Sequence, residues 1–300
     1  MKGKDIVSIA DLTREEIIRI FVETKRLKDG PRYITAQQGK TLGMIFHKPS
    51  TRTRVSFEVA MVQLGGYALY LGAQDLQLRR GETIGDTGKT LSRYLNAIMI
   101  RTYSHQDVID LAEASSIPVI NGLTDLLHPC QVLADLYTII EARKKEIATF
   151  DFSKLRIAFV GDGNNVCNSF INAQKKLGFN LSIATPEQYK PSLLGNVKGI
   201  SWTSRPAEAV RESAVIYTDV WASMGKEQEQ EERKKVFRPF QVNRELLEKA
   251  AGDPFIMHCL PAHRGEEITD EVIDGKNSIV FTQAENRLHV QKAALNLVLG

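Results

Sequence analysis

The chain has 300 residues, 43% of them hydrophobic and 25% charged, with a formal net charge of +3. That balance suits a globular protein of one large or two medium domains, and the even spread of Lys and Arg speaks against a dedicated nucleic-acid surface. No run approaches the roughly 18 apolar residues of a membrane span, and the opening MKGKDIVSIADLTREE lacks the apolar stretch of a signal peptide, so the chain reads as cytoplasmic with no membrane partner.

In chain order, TLGMIF (41–46) reads as a strand, and the segment from Thr51 or Arg52 to Leu64 reads as a helix stopped by Gly65-Gly66. Between them stands Ser50-Thr51-Arg52-Thr53-Arg54, which packs three hydroxyls and two guanidinium groups into the start of that helix. The first backbone N–H groups of a helix lack partners and its dipole is positive there, so such a stretch suits a phosphate. A single N-cap would need only one hydroxyl. The stretch has no glycines and no GK[ST], so it is not a Walker loop. Two apolar stripes, Val55-Val59-Val62 and Phe57-Met61-Leu64, predict a helix buried on both.

AIMIRTY is the next strand, closed by Arg101. Leu126 to Lys145 is helical, with Pro129 in its first turn. His128 caps or precedes that helix, and Gln131 follows one turn on. A boundary is expected near residue 150. Beyond it LRIAFVGDGNN, NLSIATP, GISWTS, AVIYTDVW and PFIMHCLP are strand-like runs separated by helix-length segments. Alternation of this kind in both halves predicts an α/β chain of two doubly wound parallel-sheet domains with an active-site cleft between them. Ligands in such sheets sit beyond the carboxyl ends of the strands, which makes the strand-end residues the candidates.

In the second half, Gly161 and Gly163 follow a strand, but the third glycine and the ribose-binding acid of a dinucleotide fingerprint are missing. A turn that admits a ligand near the backbone is still expected, with Asn164 and Asn165 suited to an amino acid's carboxylate or ammonium. Asp219 ends AVIYTD; it either holds a substrate cation, with Ser223 and the Gly225 turn for a carboxylate, or caps the next helix. Cys130, Cys167 and Cys259 form no CxxC pair and leave an odd count, which argues against a disulfide framework or a zinc site. Cys259 stands at a strand end before the X–Pro bond Leu260-Pro261, where cis geometry is accessible. His258, its neighbour, would point to the opposite face of a strand, so a thiol that accepts or orients a proton fits better than a Cys–His nucleophile. KEQEQEERKK, residues 226–235, reads as a solvated helical face. Arg287, in QAENR after the apolar SIVFTQ, joins Arg101 as an anion candidate at the end of a strand-like run.

Lys48-Pro49-Ser50-Thr51-Arg52-Thr53-Arg54, His128-Pro129-Cys130-Gln131, Asp219-Val220-Trp221-Ala222-Ser223-Met224-Gly225 and His258-Cys259-Leu260-Pro261 together resemble the ornithine carbamoyltransferases, in order and along essentially the whole chain. STRTR with HPxQ is shared across transcarbamylases; SMG and HCLP resemble the ornithine branch, and Lys48 stands where the aspartate branch tends to have Glu. The resemblance implies a carbamoyl phosphate domain over 1–148, completed by a C-terminal helix over about 284–300, and an ornithine domain over 149–283. It implies that Ser50, Thr51, Arg52, Thr53, Arg101, His128, Gln131 and Arg287 bind carbamoyl phosphate, with Gln77 reaching a neighbouring subunit's site. It places Asn165, Asp219, Ser223 and Met224 on ornithine and Cys259 with Leu260 where the substrates meet. Catalytic roles fall to Arg101, His128, Asp219 and Cys259, with no metal or organic cofactor, in a homotrimer or an assembly of trimers. The competing readings are a transcarbamylase for another amine, a non-catalytic relative and a dinucleotide-dependent oxidoreductase.

Overall fold

A computed structural model describes residues 1–72, 74, 76, 81–221 and 230–300. The chain divides into two compact units, Met1–Ala148 with Glu285–Gly300, and Thr149–Ala284. Among the described residues no helix is long and apolar enough to cross a membrane.

The first unit holds α1 (Arg14–Asp29), β1 (Thr41–Phe46), α2 (Thr51–Gln63), β2 (Tyr67–Gly72), α3 (Ile84–Leu91), β3 (Ala97–Arg101), α4 (His105–Ala114), β4 (Val119–Leu123) and α5 (Pro129–Ala142). The second holds β5 (Arg156–Val160), α6 (Asn165–Leu177), β6 (Asn180–Ala184), β7 (Ile200–Thr203), α7 (Pro206–Val210), β8 (Val215–Thr218), α8 (Gln230–Phe237), α9 (Arg244–Leu247), β9 (Phe255–His258) and α10 (Asp270–Ile273). Helix α11 (Val280–Leu299) starts in the second unit and belongs to the first from Glu285 onward. There Lys28 Nζ donates to Asn286 Oδ1 (2.8 Å) and the buried Lys292 Nζ to the Leu27 carbonyl (3.2 Å).

Every strand pairing in the two sheets is parallel. Fully buried runs such as AIMIR and VINGL show why: a parallel strand is covered on both faces and needs no polar alternation. The first sheet has the order β2-β1-β3-β4 and the second β7-β6-β5-β8-β9. Each order reverses direction once, between β1 and β3 and between β5 and β8. A crevice opens at such a point because the connections on its two sides leave in opposite directions. The second sheet rests on an apolar cluster that includes Val160, Ile216, Ile256 and Val272, beside the packed rings of Phe159, Phe170 and Tyr217.

Three expectations need correction. Helix α2 buries Phe57, Met61 and Leu64, but Val55 and Val62 are 49% and 57% exposed, because the helix lies on its sheet by one face only. SIVFTQ is not a strand: Ser278 makes only an isolated bridge to Ile256, and from Val280 the run is the start of α11, so Arg287 projects from a helix two turns in rather than from a strand end. The helix expected over Leu126 to Lys145 is shorter, Pro129–Ala142, since proline suits the first helical position and Lys144 takes a positive φ of 51°.

Candidate active site

At the first reversal, Ser50 is the N-cap of α2, and its hydroxyl accepts from Thr53 N (3.3 Å) while donating to Thr53 Oγ1 (3.1 Å). Register pairs Phe46 with Arg101, so the turn after β1 and the last residue of β3 stand side by side. Arg101 Nη1 and Arg287 Nη2 each reach Thr53 Oγ1 at 3.5 Å. Arg287 Nη1 also donates to Gln131 Oε1, and Gln131 Nε2 donates to Asp135 Oδ1 (2.8 Å). Two guanidinium groups, hydroxyls and a helix N-terminus therefore converge, and Asp135 sets the amide of Gln131 so that its oxygen faces Arg287. Asp135 was missed from sequence; the available signal was an acid one turn after Gln131 inside the otherwise apolar QVLADLYTII.

Thr51 and Arg52 are exposed at the helix start beside this group. Arg54 turns away, paired with Glu58 (3.3 Å) and lying 4.1 Å from the Tyr70 ring centroid. Lys48 is buried, bonded to Asp125 (3.2 Å) and 4.9 Å from the centroid of Tyr103. Gln77 lies outside the described residues.

His128 is the N-cap of α5, with Pro129 at its first position and Gln131 one turn in. Burial, then the charges of Arg287 and Arg101, hold its imidazole well below the ordinary 6.5. It is therefore a neutral hydrogen-bonding group at physiological pH. The unfolded chain takes up this proton near 6.5 and the folded one does not. The stability is fully present above that value and is lost as pH falls below it. His105 and His289, lowered by burial, act in the same direction. Replacing His128 by Gln should flatten the fall in Tm between about pH 7 and pH 5, measured by thermal unfolding without ligand; an unchanged slope would contradict the buried neutral imidazole. Cys130, on the same helix, has its thiol pushed up to about 11 by burial and bonds to the Asn121 carbonyl (3.4 Å), so it is inert.

At the second reversal, register pairs Val160 with Thr218 and Thr218 with His258. The residues after these strands, Asp219 and Cys259, are consequently neighbours: Cys259 Sγ donates to Asp219 Oδ1 at 2.9 Å. Val220 N donates to the same oxygen (2.8 Å), and Asn164 Nδ2 donates to Asp219 Oδ2 (2.6 Å). Asn164 Oδ1 meanwhile caps α6 by accepting from Val166 N and Cys167 N (3.0 and 3.2 Å). The two adjacent amides thus have different places: Asn164 orients Asp219, and Asn165 is the half-buried first residue of α6. Gly163 does not leave the room for a ligand that its sequence context suggests. A Cβ there would lie 2.3 Å from Pro191 N and 2.4 Å from the Tyr189 carbonyl, so the chain's own backbone fills the space.

His258 is not carried clear of Cys259, since a ring nitrogen lies within 4.8 Å of the thiol, but its ring is committed to other partners. Its Nδ1 accepts from Leu260 N (2.9 Å), which leaves the proton on Nε2 for buried Glu267 Oε1 (2.9 Å). Donor atoms of Asp219, His258 and Cys259 lie within 4.8 Å of one another, yet each of the three already hydrogen-bonds to protein groups. Leu260 takes a φ of 57°, and its bond to Pro261 is cis. Held by the His258 ring, this uncommon backbone turns the chain sharply just after Cys259. Ser223 and Met224 lie outside the described residues.

The largest departure from expectation concerns Arg233. In a run read as solvated it is 2% exposed, and it bonds to Asp162 Oδ2 (2.5 Å) and the Trp221 carbonyl (2.6 Å). Its neighbours Glu231 and Glu232 are exposed, as a solvated face requires.

Two doubly wound units, one gathering guanidinium groups, hydroxyls and a neutral imidazole, the other a carboxylate with a thiol and an amide, define an α/β protein whose first unit has groups suited to an oxyanion and whose second has groups suited to an amine. Two family models match: aspartate/ornithine carbamoyltransferase, carbamoyl-P binding domain, over residues 4–141, and aspartate/ornithine carbamoyltransferase, Asp/Orn binding domain, over residues 153–298. Among curated relatives, an ornithine carbamoyltransferase of Pyrococcus horikoshii is 54% identical, covering 100% of this chain and 97% of its own, and an anabolic one of Pyrococcus furiosus is 53% identical over 100% and 98%. The solved ornithine carbamoyltransferase of Pyrococcus furiosus superposes with a TM-score of 0.92 at 53% identity, covering 100% and 98%; that of Thermus thermophilus gives 0.91 at 38%, covering both chains fully. The chain belongs to the aspartate/ornithine carbamoyltransferase family.

Proposed function

We propose that this enzyme transfers the carbamoyl group of carbamoyl phosphate to the side-chain amine of L-ornithine, giving L-citrulline and phosphate in arginine biosynthesis or a urea-cycle-type step. The observation that carries the choice of acceptor is the full-length kinship with relatives named for ornithine, and the Asp219–Cys259–Asn164 cluster at the second sheet's reversal is a suitable amine site.

In the reaction the neutral amine nitrogen attacks the carbonyl carbon, a C–N bond forms, and the C–O bond to phosphate breaks with its electron pair leaving on the phosphate. Ser50, Thr51, Arg52 and Thr53, with Gln131 and Arg287, are proposed to hold the leaving dianion. Arg101 and the neutral His128 donate to the carbonyl oxygen as charge develops there. Asp219 and Cys259 favour and orient the neutral amine and take up its proton, with Leu260 beside them. Asn165, Ser223 and Met224 are proposed to hold the amino-acid end of ornithine. The first unit would serve as the carbamoyl phosphate domain and the second as the ornithine domain.

The enzyme is further proposed to work in the cytoplasm as a homotrimer or an assembly of trimers, with Gln77 completing a neighbour's site. Exposed Val55, Val62, Tyr67 and Leu69 on α2 and the edge strand β2 offer apolar surface for that association. Purified protein supplied with carbamoyl phosphate and ornithine should release citrulline and phosphate in equal amounts. A panel with putrescine, aspartate and acylated ornithine should give little turnover; preference for any of these would overturn the choice of acceptor.

A further inference from the structure

Arg233 is placed where a charged side chain is costly. Its guanidinium lies 4.3 Å from the Tyr189 ring centroid and 5.1 Å from that of Phe237, and Trp221 stacks on Phe237. Burying a cation carries a desolvation penalty that is offset only by good geometry on every donor. The Asp162 carboxylate and the Trp221 carbonyl supply that geometry.

What matters is where those two partners sit. Asp162 belongs to the turn after β5, two residues before Asn164, whose amide donates to Asp219 Oδ2. Trp221 belongs to the turn after β8, two residues beyond Asp219. One guanidinium therefore braces the two strand-end turns on either side of the Asn164–Asp219 contact. Trp221 precedes residues 222–229 and Arg233 comes after them, so the same group also joins the chain across the stretch that contains Ser223 and Met224.

We propose that Arg233 is a positioning residue for the amine acceptor: by tying Asp162 to the Trp221 carbonyl it fixes the turn that carries Asp219 and so the direction in which that carboxylate meets ornithine. The inference rests on the function proposed above. The planar fork is required, because one group must donate in two directions at once; lysine offers a point charge on a flexible stem.

The test compares wild-type enzyme with Arg233→Lys, Arg233→Gln and Asp162→Asn, measuring KM and kcat for each substrate together with Tm. The expected result is a loss in kcat/KM for ornithine on the order of ten- to a hundredfold, as for small misplacements of a reacting group, carried mainly by KM, with the carbamoyl phosphate KM within about twofold. Arg233→Lys should lie between wild type and Arg233→Gln. Variants that lose thermal stability yet keep a wild-type KM for ornithine would show a purely structural residue and overturn the proposal. Failure of all three to fold would do the same. Should only Arg233→Gln misfold, Arg233→Lys and Asp162→Asn decide on their kinetics. Wild-type enzyme that makes no citrulline would overturn the acceptor reading and this inference together, whereas wild-type turnover with unchanged variants overturns this inference alone.

Discussion

Asp219→Asn should lower kcat/KM for ornithine by roughly 10² to 10⁴, the range for loss of a positioned acid–base group, while leaving the thermal shift caused by carbamoyl phosphate intact. The substitution keeps the volume of the side chain, so the turn after β8 should hold. Its chemistry is nevertheless wrong in two ways. A carboxylate accepts at both oxygens, and Asp219 does so from Cys259 and Val220 at one and Asn164 at the other. An amide turns one of those positions into a donor facing a donor, and it cannot take a proton from the attacking amine. The loss should fall on both kcat and KM. Kinetics for ornithine within threefold of wild type would mean that Asp219 merely shapes the turn.

Arg101→Lys should lower kcat/KM for carbamoyl phosphate by about 10² or more, close to what removal of one oxyanion donor costs elsewhere, and Arg101→Met should lower it further. Register sets the Arg101 backbone opposite Phe46, and one of its terminal nitrogens approaches Thr53 Oγ1, on which Arg287 also converges. Lysine would keep the charge but not the fork, so the difference between the two variants separates Coulomb attraction from directed hydrogen bonding. The ornithine-dependent thermal shift gives the internal control. A lysine variant with full activity would mean that only the charge is needed at this strand end.

Much of this was readable in the sequence, for reasons that differ by element. The strands of the second half announced themselves as short apolar runs, and parallel burial on both faces is what makes such runs unbroken. STRTR declared itself because a cap needs one hydroxyl and it carries several. Strand order was not readable, because a run of apolar residues does not say which neighbour it pairs with; that order is what puts Asp219 beside Cys259. The position of Arg287 is ambiguous in sequence because SIVFTQ is apolar enough for strand or helix, and the structure makes it helix only from Val280 onward. Arg233 was hidden by its surroundings: a charge run reads as uniformly wet, and one buried member with its aromatic partners, Tyr189 and Phe237, leaves no mark in composition. Glu267 is hidden in the same way, since a single acid in a polar stretch has no local pattern that tells a buried hydrogen-bonding role from an exposed one, whereas Asp135 stands out only by interrupting the apolar QVLADLYTII.

The pairing of Thr218 with His258 has a consequence for how this enzyme can change. Because Asp219 and Cys259 meet through ladder register, insertions or deletions between β8 and β9 that spare Arg233 leave the acid–thiol pair where it is. Slippage of one strand by a single residue would separate them at once. Variation between β8 and β9 that keeps the Arg233 contacts to Asp162 and the Trp221 carbonyl therefore leaves the carboxylate and thiol together, held by the backbone of the sheet.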